Sequence, residues 1–421
     1  MRIAFFVDQF PCLSETFILN QITGLIDRGH DVHIYCDKLS KPTLVHPEVR
    51  QYRLEERTYY TPTRQNTWKT RLWRYVRGFW LLILNFHKAP LIIADSLNTV
   101  KYSQHRYGEF ADWFKALFLM LPLLEQPAYD LIQCHYGRNG IKAILLKDLG
   151  VIEGKIVTAF HGHDLSSELV RYGDLIYDYL WQRGDLFLPI SNYWADKLTA
   201  LGCPTQRITV HQMGVEVTTA HQPTVSNSSQ PDQITLVSVA RLVAMKGLSY
   251  GIAAVAELVT QLPDLELQYW IVGDGVERSR LAQQIAQLGL TKQIKLWGWQ
   301  EREQVQQILS QADIMLAPSI VTTMGDCEGI PVCLMEAMAQ GIPIVSTAYS
   351  GIPELVADGV TGYLVPERDT NAITAKLAQL IENPDLRQKM GQAGRNKVLT
   401  DYNIELLNDR LVAIYQTLIE Q

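Results

Sequence analysis

RIAFFVDQFPCLSETFILNQITGLIDRGHDVHIYC, residues 2–36, decides the fold. RIAFFV is a short apolar run suited to a buried strand, and DVHIYC is a second. A polar turn separates the first run from a helical stretch over about 14–28, which Ser14 is placed to cap and Gly29 to close. Strand, helix and strand in so short a span make a βαβ unit, hence a parallel sheet covered on both faces.

The rhythm returns in DLIQCHYG (130–137), KIVTAFHGHD (155–164) and DLFLPISNYWADKLTALG (185–202), so the first half reads as an α/β domain. Residues 213–233 are rich in Ser, Thr, Asn, Gln and Pro, the composition of a linker. A second series follows: ITLVSVA, LQYWIVGDG, IKLWGW, ADIMLAPS, IPIVST and TGYLV, separated by helix-like segments. The expected architecture is two doubly wound, Rossmann-like α/β domains facing across a cleft. Their expected bounds are 1–213 and 214–400, with a final helix over 401–421 packing back on the first. Ligands of such sheets bind beyond the carboxyl ends of the strands, so the loops there are where chemistry is sought.

Bulk properties agree with a two-domain globular protein: 421 residues, 47% hydrophobic and 19% charged. A formal net charge of −6 argues against a nucleic-acid partner. Cys12, Cys36, Cys134, Cys203, Cys327 and Cys333 form no Cys-x-x-Cys pair, which suggests reduced thiols and neither a disulfide framework nor a zinc site. The opening apolar run is short and cut by Asp8, unlike a signal peptide, and no apolar run is long enough to span a bilayer. A cytoplasmic location is expected. Residues 57–94 lack any acidic residue and interleave Arg57, Arg64, Lys69, Arg71, Arg74, Arg77 and Lys88 with aromatics. Such a segment suits either a basic solvated face or peripheral contact with the inner face of an anionic membrane.

In the second domain's first loop, Arg241 and Lys246 lie five positions apart between a strand and a helix, where two cations can converge on a diphosphate. The loop has no P-loop pattern. CEGIPVCLMEAMAQGIPIVS, residues 327–346, contains a helix start at Pro331 and a stop at Gly341 and Pro343. The amides of Gly329, Ile330, Pro331 and Val332 frame that start, Pro331 having no N–H of its own, and free helix-start amides favour an anion. Glu336 lies in the second turn and leans back toward it, while Glu328 sits just ahead. Two carboxylates beside a diphosphate must address neutral hydroxyls, with the cations offsetting the phosphates. Taken singly, a glutamate at a helix start is ordinary dipole stabilisation, worth ~0.3–1 kcal/mol.

Together these stretches resemble the large retaining glycosyltransferase family 4, of GT-B fold. Glu328 and Glu336 match its hallmark of two glutamates separated by seven residues, ARLVAMKGL (240–248) its arginine-to-lysine loop, and HGHDLS (161–166) its first-domain histidine loop. The resemblance implies that Arg241 and Lys246 hold the donor diphosphate, Glu336 the nucleotide ribose, and Glu328 and His161 the transferred sugar. His163 and Asp164 are adjacent candidates, and His135 and Arg138 of HYGRNG suit acceptor or phosphate contacts. GWQ (298–300) falls at the family's base-contacting loop, with either Trp297 or Trp299 equally suited to core. PCLSETF (11–17) departs from the common pattern and is similar to an exopolysaccharide branch that includes colanic-acid-type enzymes.

No Asp-x-Asp pair occurs, so the expected site uses no metal and no cofactor, a nucleotide diphosphate sugar being the donor substrate. The expected activity is transfer of a hexose to a saccharide or lipid-linked acceptor with retained configuration. A nucleotide-sugar epimerase and a non-catalytic nucleotide-sugar binding subunit of a polysaccharide assembly complex remain as alternatives.

Overall fold

The computed structural model describes residues 1–12, 15–39, 45–60, 80, 83, 87, 90, 92–93, 102–124, 126–217 and 233–421. They fall into two compact units. The first comprises Met1–Ile190, Trp194–His211 and Asn408–Gln421, and the second Ser191–Tyr193 and Gln212–Leu407. Ser14, most of the linker and most of 57–94 lie outside the described residues.

The first unit is built on six parallel strands: β1 (Arg2–Phe10), β2 (Asp31–Leu39), β3 (Thr58–Tyr60), β4 (Leu131–His135), β5 (Lys155–Phe160) and β6 (Leu186–Pro189), in the order β3-β2-β1-β4-β5-β6. β4 is buried at every position, as a central strand covered on both faces must be. Two features differ from the sequence reading. β1 does not turn after Val7; it continues through Asp8 because Gln9 and Phe10 pair with Lys38 and Leu39 of β2. β3 is an edge strand of three residues, held by pairing with Ile34–Cys36, and its own residues carry no strand period.

The second unit repeats the plan with β7 (Gln233–Val239), β8 (Glu266–Val272), β9 (Ile294–Gly298), β10 (Ile314–Ala317), β11 (Ile344–Thr347) and β12 (Gly362–Val365), in the order β12-β11-β10-β7-β8-β9. Its core packs Ile252, Val255 and Leu258 of one helix and Ile373 and Leu377 of another against Leu236, Ile271 and Leu316 of the sheet. Each such side chain contributes roughly 1.5–3 kcal/mol when fully buried. In both sheets the strand order reverses once, between β1 and β4 and between β7 and β10. Those two switch points are where an open parallel sheet leaves a crevice at its carboxyl edge.

The last helix, Ile404–Glu420, begins in the second unit, and from Asn408 on it belongs to the first. There the Tyr415 hydroxyl donates to Gln133 Oε1 at 2.7 Å, and Arg28 pairs with Asp409 at 2.7 Å. None of the six cysteines, all among the described residues, is in a disulfide. Among the described residues no helix is long and apolar enough to cross a membrane, and no three His, Cys, Asp or Glu side chains group so as to hold a metal ion.

Candidate functional site

At the switch point of the second sheet lies a small recess. Ser238, Val239 and Ala240 line it from the end of β7, Ala317 and Ser319 from the end of β10, and Lys246, Pro331 and Cys333 close it. Lys246 arrives there on a short 3-10 turn, Ala244–Lys246, and the backbone fixes its place. Gly247 has φ +61°, and a Cβ on it would sit 1.8 Å from the Pro318 carbonyl oxygen, so the loop after β7 lies directly on the loop after β10. Ile320 N–H donates to the Met245 carbonyl at 2.8 Å across the same seam.

The Lys246 ammonium ion-pairs with Glu328 Oε1. Ser319 Oγ stands 3.5 Å from the same oxygen. Burial works to lower the pKa of Lys246, but its ion pair with Glu328 holds it above its usual value, against a weaker push from Arg241. Lysine therefore stays charged. The Cys333 thiol is pushed up to about 12 by burial and stays protonated. Arg241 is exposed, on the same loop.

The helix after Glu328 runs Val332–Ala339; Pro331, expected at the first helical position, is its N-cap, so the helix starts one residue later than expected. Gly341, at φ +80°, follows its end. Ser350, itself at φ +56°, donates its Oγ proton to the Gly329 carbonyl at 3.1 Å. Ile330 turns its side chain into the packing, where a Cβ on Gly351 would meet it at 2.6 Å, so only its backbone faces outward chemistry. Glu336 is half-buried in the second turn; burial pushes its carboxyl up to about 7, with Arg302 opposing. Lys246, Glu328, Pro331 and the helix start are thus brought together, with Glu336 one turn further along.

His161 belongs to the first unit, directly after β5. Its ring is buried, with Phe17 at 4.7 Å and Tyr136 at 4.9 Å between centroids. Burial lowers its pKa to about 3, so it is a neutral imidazole. Asp164 is fully enclosed and serves the backbone: its carboxylate accepts from the N–H groups of His161 and Gly162 at 3.0 Å and of Gly137 at 3.2 Å. It ties the loop after β5 to the one after β4. Burial raises it to about 7 even so. His163 is exposed and bonds Ser167 Oγ. Arg138 is engaged by Glu109 and Glu168. Trp297 packs edge-on against Trp270 with Lys295 over its face, while Trp299 is 41% exposed.

Asp164, an adjacent candidate in the sequence reading, thus supports the backbone of two loops, and Ser350, which that reading did not name, supports the loop before the Val332–Ala339 helix. A signal exists for Ser350: a serine before glycine in a strand-to-helix loop suits a tight turn.

Comparison with known proteins gives the family and the fold. Residues 224–397 match the family described as glycosyl transferases group 1, and residues 14–214 match the glycosyl transferase 4-like domain. A Salmonella typhimurium protein assigned to colanic acid biosynthesis as a glycosyltransferase is 38% identical, over 99% of this chain and 100% of its own. The amylovoran biosynthesis glycosyltransferase of Erwinia amylovora is 35% identical over the same shares. Among solved structures, an Anabaena protein in complex with UDP-glucose aligns with a TM-score of 0.68 at 16% identity, covering 99% of this chain and 100% of that one. Sucrose-phosphate synthase from Thermosynechococcus elongatus gives 0.70 at 18%, covering 100% and 99%. These likenesses place the two Rossmann-like units in the GT-B fold.

Proposed function

The chain belongs to the group 1 glycosyl transferases, and from that premise we propose that it moves a hexose from a nucleoside diphosphate sugar to a saccharide or lipid-linked acceptor in exopolysaccharide biosynthesis, with retained configuration. The observation that carries this reading is the convergence of Lys246, Glu328 and the start of the Val332–Ala339 helix at the switch point of the second sheet.

A diphosphate needs cations and free amides, and the sugar beside it needs hydroxyl acceptors. The ammonium of Lys246 has three N–H donors, so its contact with Glu328 leaves two for phosphate oxygens. Arg241 adds a planar fork from the exposed side of the same loop. Glu328 accepts from hydroxyls of the transferred sugar, and Glu336 from the ribose. For His161 the reading keeps the role that the resemblance implies, a hydroxyl contact.

In the transfer, the bond from the anomeric carbon to the diphosphate oxygen breaks, and its electron pair leaves with the diphosphate. The acceptor hydroxyl bonds to that carbon and gives up its proton to the departing group. Lys246, Arg241 and the helix amides stabilise the charge that develops on the leaving oxygens, which is electrostatic catalysis by groups already in place. No metal or cofactor enters this account. The relatives assigned to colanic acid and amylovoran support an exopolysaccharide acceptor.

Thermal stabilisation by a panel of nucleotide sugars, beginning with UDP sugars, followed by product mass on oligosaccharide acceptors, tests the reading. A mass gain of one hexose on the acceptor supports it. Interconversion of the donor sugar without an acceptor product overturns it in favour of an epimerase.

A further inference from the structure

β1 and β4 lie side by side at the switch point of the first sheet, and they part before β1 ends. Their pairing stops at Phe6 with Cys134, whereas β1 stays paired with β2 as far as Phe10 with Leu39. Asp8 stands in that opening, on the stretch of β1 that has lost its β4 neighbour. It is exposed, which a residue of a central strand is only where the layer covering the sheet ends.

One side chain reaches its carboxylate. Asn139, in the first turn of the helix Gly137–Asp148, donates Nδ2 protons to Asp8 Oδ1 at 3.0 Å and to the His135 carbonyl at 2.7 Å. A carboxylate and a carbonyl only accept, so the amide can face them only with its NH2 group, and both protons are used. The His135 ring takes no part; it stacks on His161, with Nδ1 2.9 Å from Nε2. Asn139 is 1% exposed, and its Oδ1 is enclosed without a partner. A half-satisfied buried amide costs stability. What it secures is the orientation of a carboxylate that faces solvent. The N-cap of the same helix, Tyr136, is held at φ +72°, strained for a residue other than glycine.

Three other carboxylates at this edge are engaged elsewhere. Asp37 pairs with Lys142 at 2.7 Å, Glu15 accepts from the Tyr136 hydroxyl at 2.8 Å, and Asp164 serves backbone N–H groups. Among the described residues, the Asp8 carboxylate has no ion pair and no hydrogen-bond partner but Asn139.

We propose that Asp8 is an acceptor-binding residue and that Asn139 is the residue that positions it. The carboxylate accepts from a hydroxyl of the acceptor's terminal sugar, other than the hydroxyl that reacts, whose proton goes to the departing diphosphate. Its charge repels a phosphate at this place, so the group read there is a neutral, hydroxyl-bearing sugar ring. A free oligosaccharide and a lipid-linked one can both present that ring. The inference rests on the reading of the chain as a transferase.

Transfer by the full chain is measured on two acceptors: oligosaccharides from partial hydrolysis of colanic acid, and the same oligosaccharides joined to a polyprenyl diphosphate. Asp8→Asn keeps the side chain's shape and an oxygen for Asn139 but gives up the charge. It should raise acceptor KM at least about tenfold, as loss of a charge-assisted hydrogen bond does, with thermal stabilisation by the donor nucleotide sugar as in wild type. A rise on either acceptor supports the proposal, and the lower wild-type KM tells which of the two carries the ring. Asn139→Leu should raise acceptor KM as well. Added to Asp8→Asn it should change KM by less than about twofold, because it acts through Asp8. An amide that merely holds the fold would add its full effect, and that result overturns the positioning role. Should Asn139→Leu fail to fold, Asp8→Asn still decides. Unchanged acceptor KM in Asp8→Asn overturns the proposal and leaves the transferase reading standing, whereas no transfer by the wild type to either acceptor overturns both.

Discussion

Lys246 and Glu328 form an ion pair across the carboxyl ends of β7 and β10, with side chains only 15% and 9% exposed. Each carries a role in the proposed chemistry, and each is also what makes the other tolerable at that depth. Breaking a buried pair from one side leaves an uncompensated charge, which typically costs about 3–5 kcal/mol. Lys246→Ala should therefore lose transfer and also much of the second unit's stability. Lys246→Ala combined with Glu328→Gln should recover most of that stability and none of the activity. Denaturant unfolding and turnover check both, and near-wild-type turnover in the single variant would sink the site assignment.

Glu336 gives a pH dependence whose sign follows from its raised pKa. Between the unfolded value of 4.5 and the folded value of about 7, the native state holds a proton that the unfolded state has released. Its contribution is full below 4.5 and is lost as pH rises through 7. Glu336→Gln removes that loss. The variant's melting temperature relative to wild type should thus be more favourable at pH 8 than at pH 5, and the reverse order would contradict the burial assigned to this carboxyl.

Ser350 sets a left-handed backbone cost of roughly 1–2 kcal/mol against one hydrogen bond, worth about 1 kcal/mol, to the Gly329 carbonyl. Ser350→Gly gives up the bond and the strain together and should be near neutral in stability. Ser350→Ala keeps the strain and should melt lower. Both release the loop that leads into the Val332–Ala339 helix, so both should raise donor KM. Equal melting of the two variants, or unchanged KM, would remove Ser350 from the site's support.

Gly247→Ala places a methyl group 1.8 Å from the Pro318 carbonyl oxygen, at φ +61°. Backbone must move, and Lys246 with it. Gly289→Ala is the control: φ +71° with open space around the new methyl. Both should lose about 1 kcal/mol or more through the left-handed conformation. Only Gly247→Ala should also abolish transfer. Loss of activity in the control at equal stability would show that the effect is not local to the Lys246 loop.

The strands were readable because a parallel sheet covered on both faces needs largely apolar runs, and ITLVSVA and ADIMLAPS are such runs. Lys246, Glu328 and Glu336 were readable as candidates only in combination, because each taken singly has an ordinary structural explanation. β3 was not readable, since Thr58–Tyr60 is a strand only by virtue of the edge beside it. The continuation of β1 through Asp8 has the same origin.

Sequence by itself thus determined the alternation of strand and helix and the two-unit α/β plan, because each is written in the local period of apolar residues. Tertiary structure alone decided which loop residues meet. The pairing of Lys246 with Glu328, of Ser350 with Gly329 and of His135 with His161 joins residues from different strand-to-helix loops. The crossovers between those loops bury their contacts in the order of the sheet, not in the order of the chain.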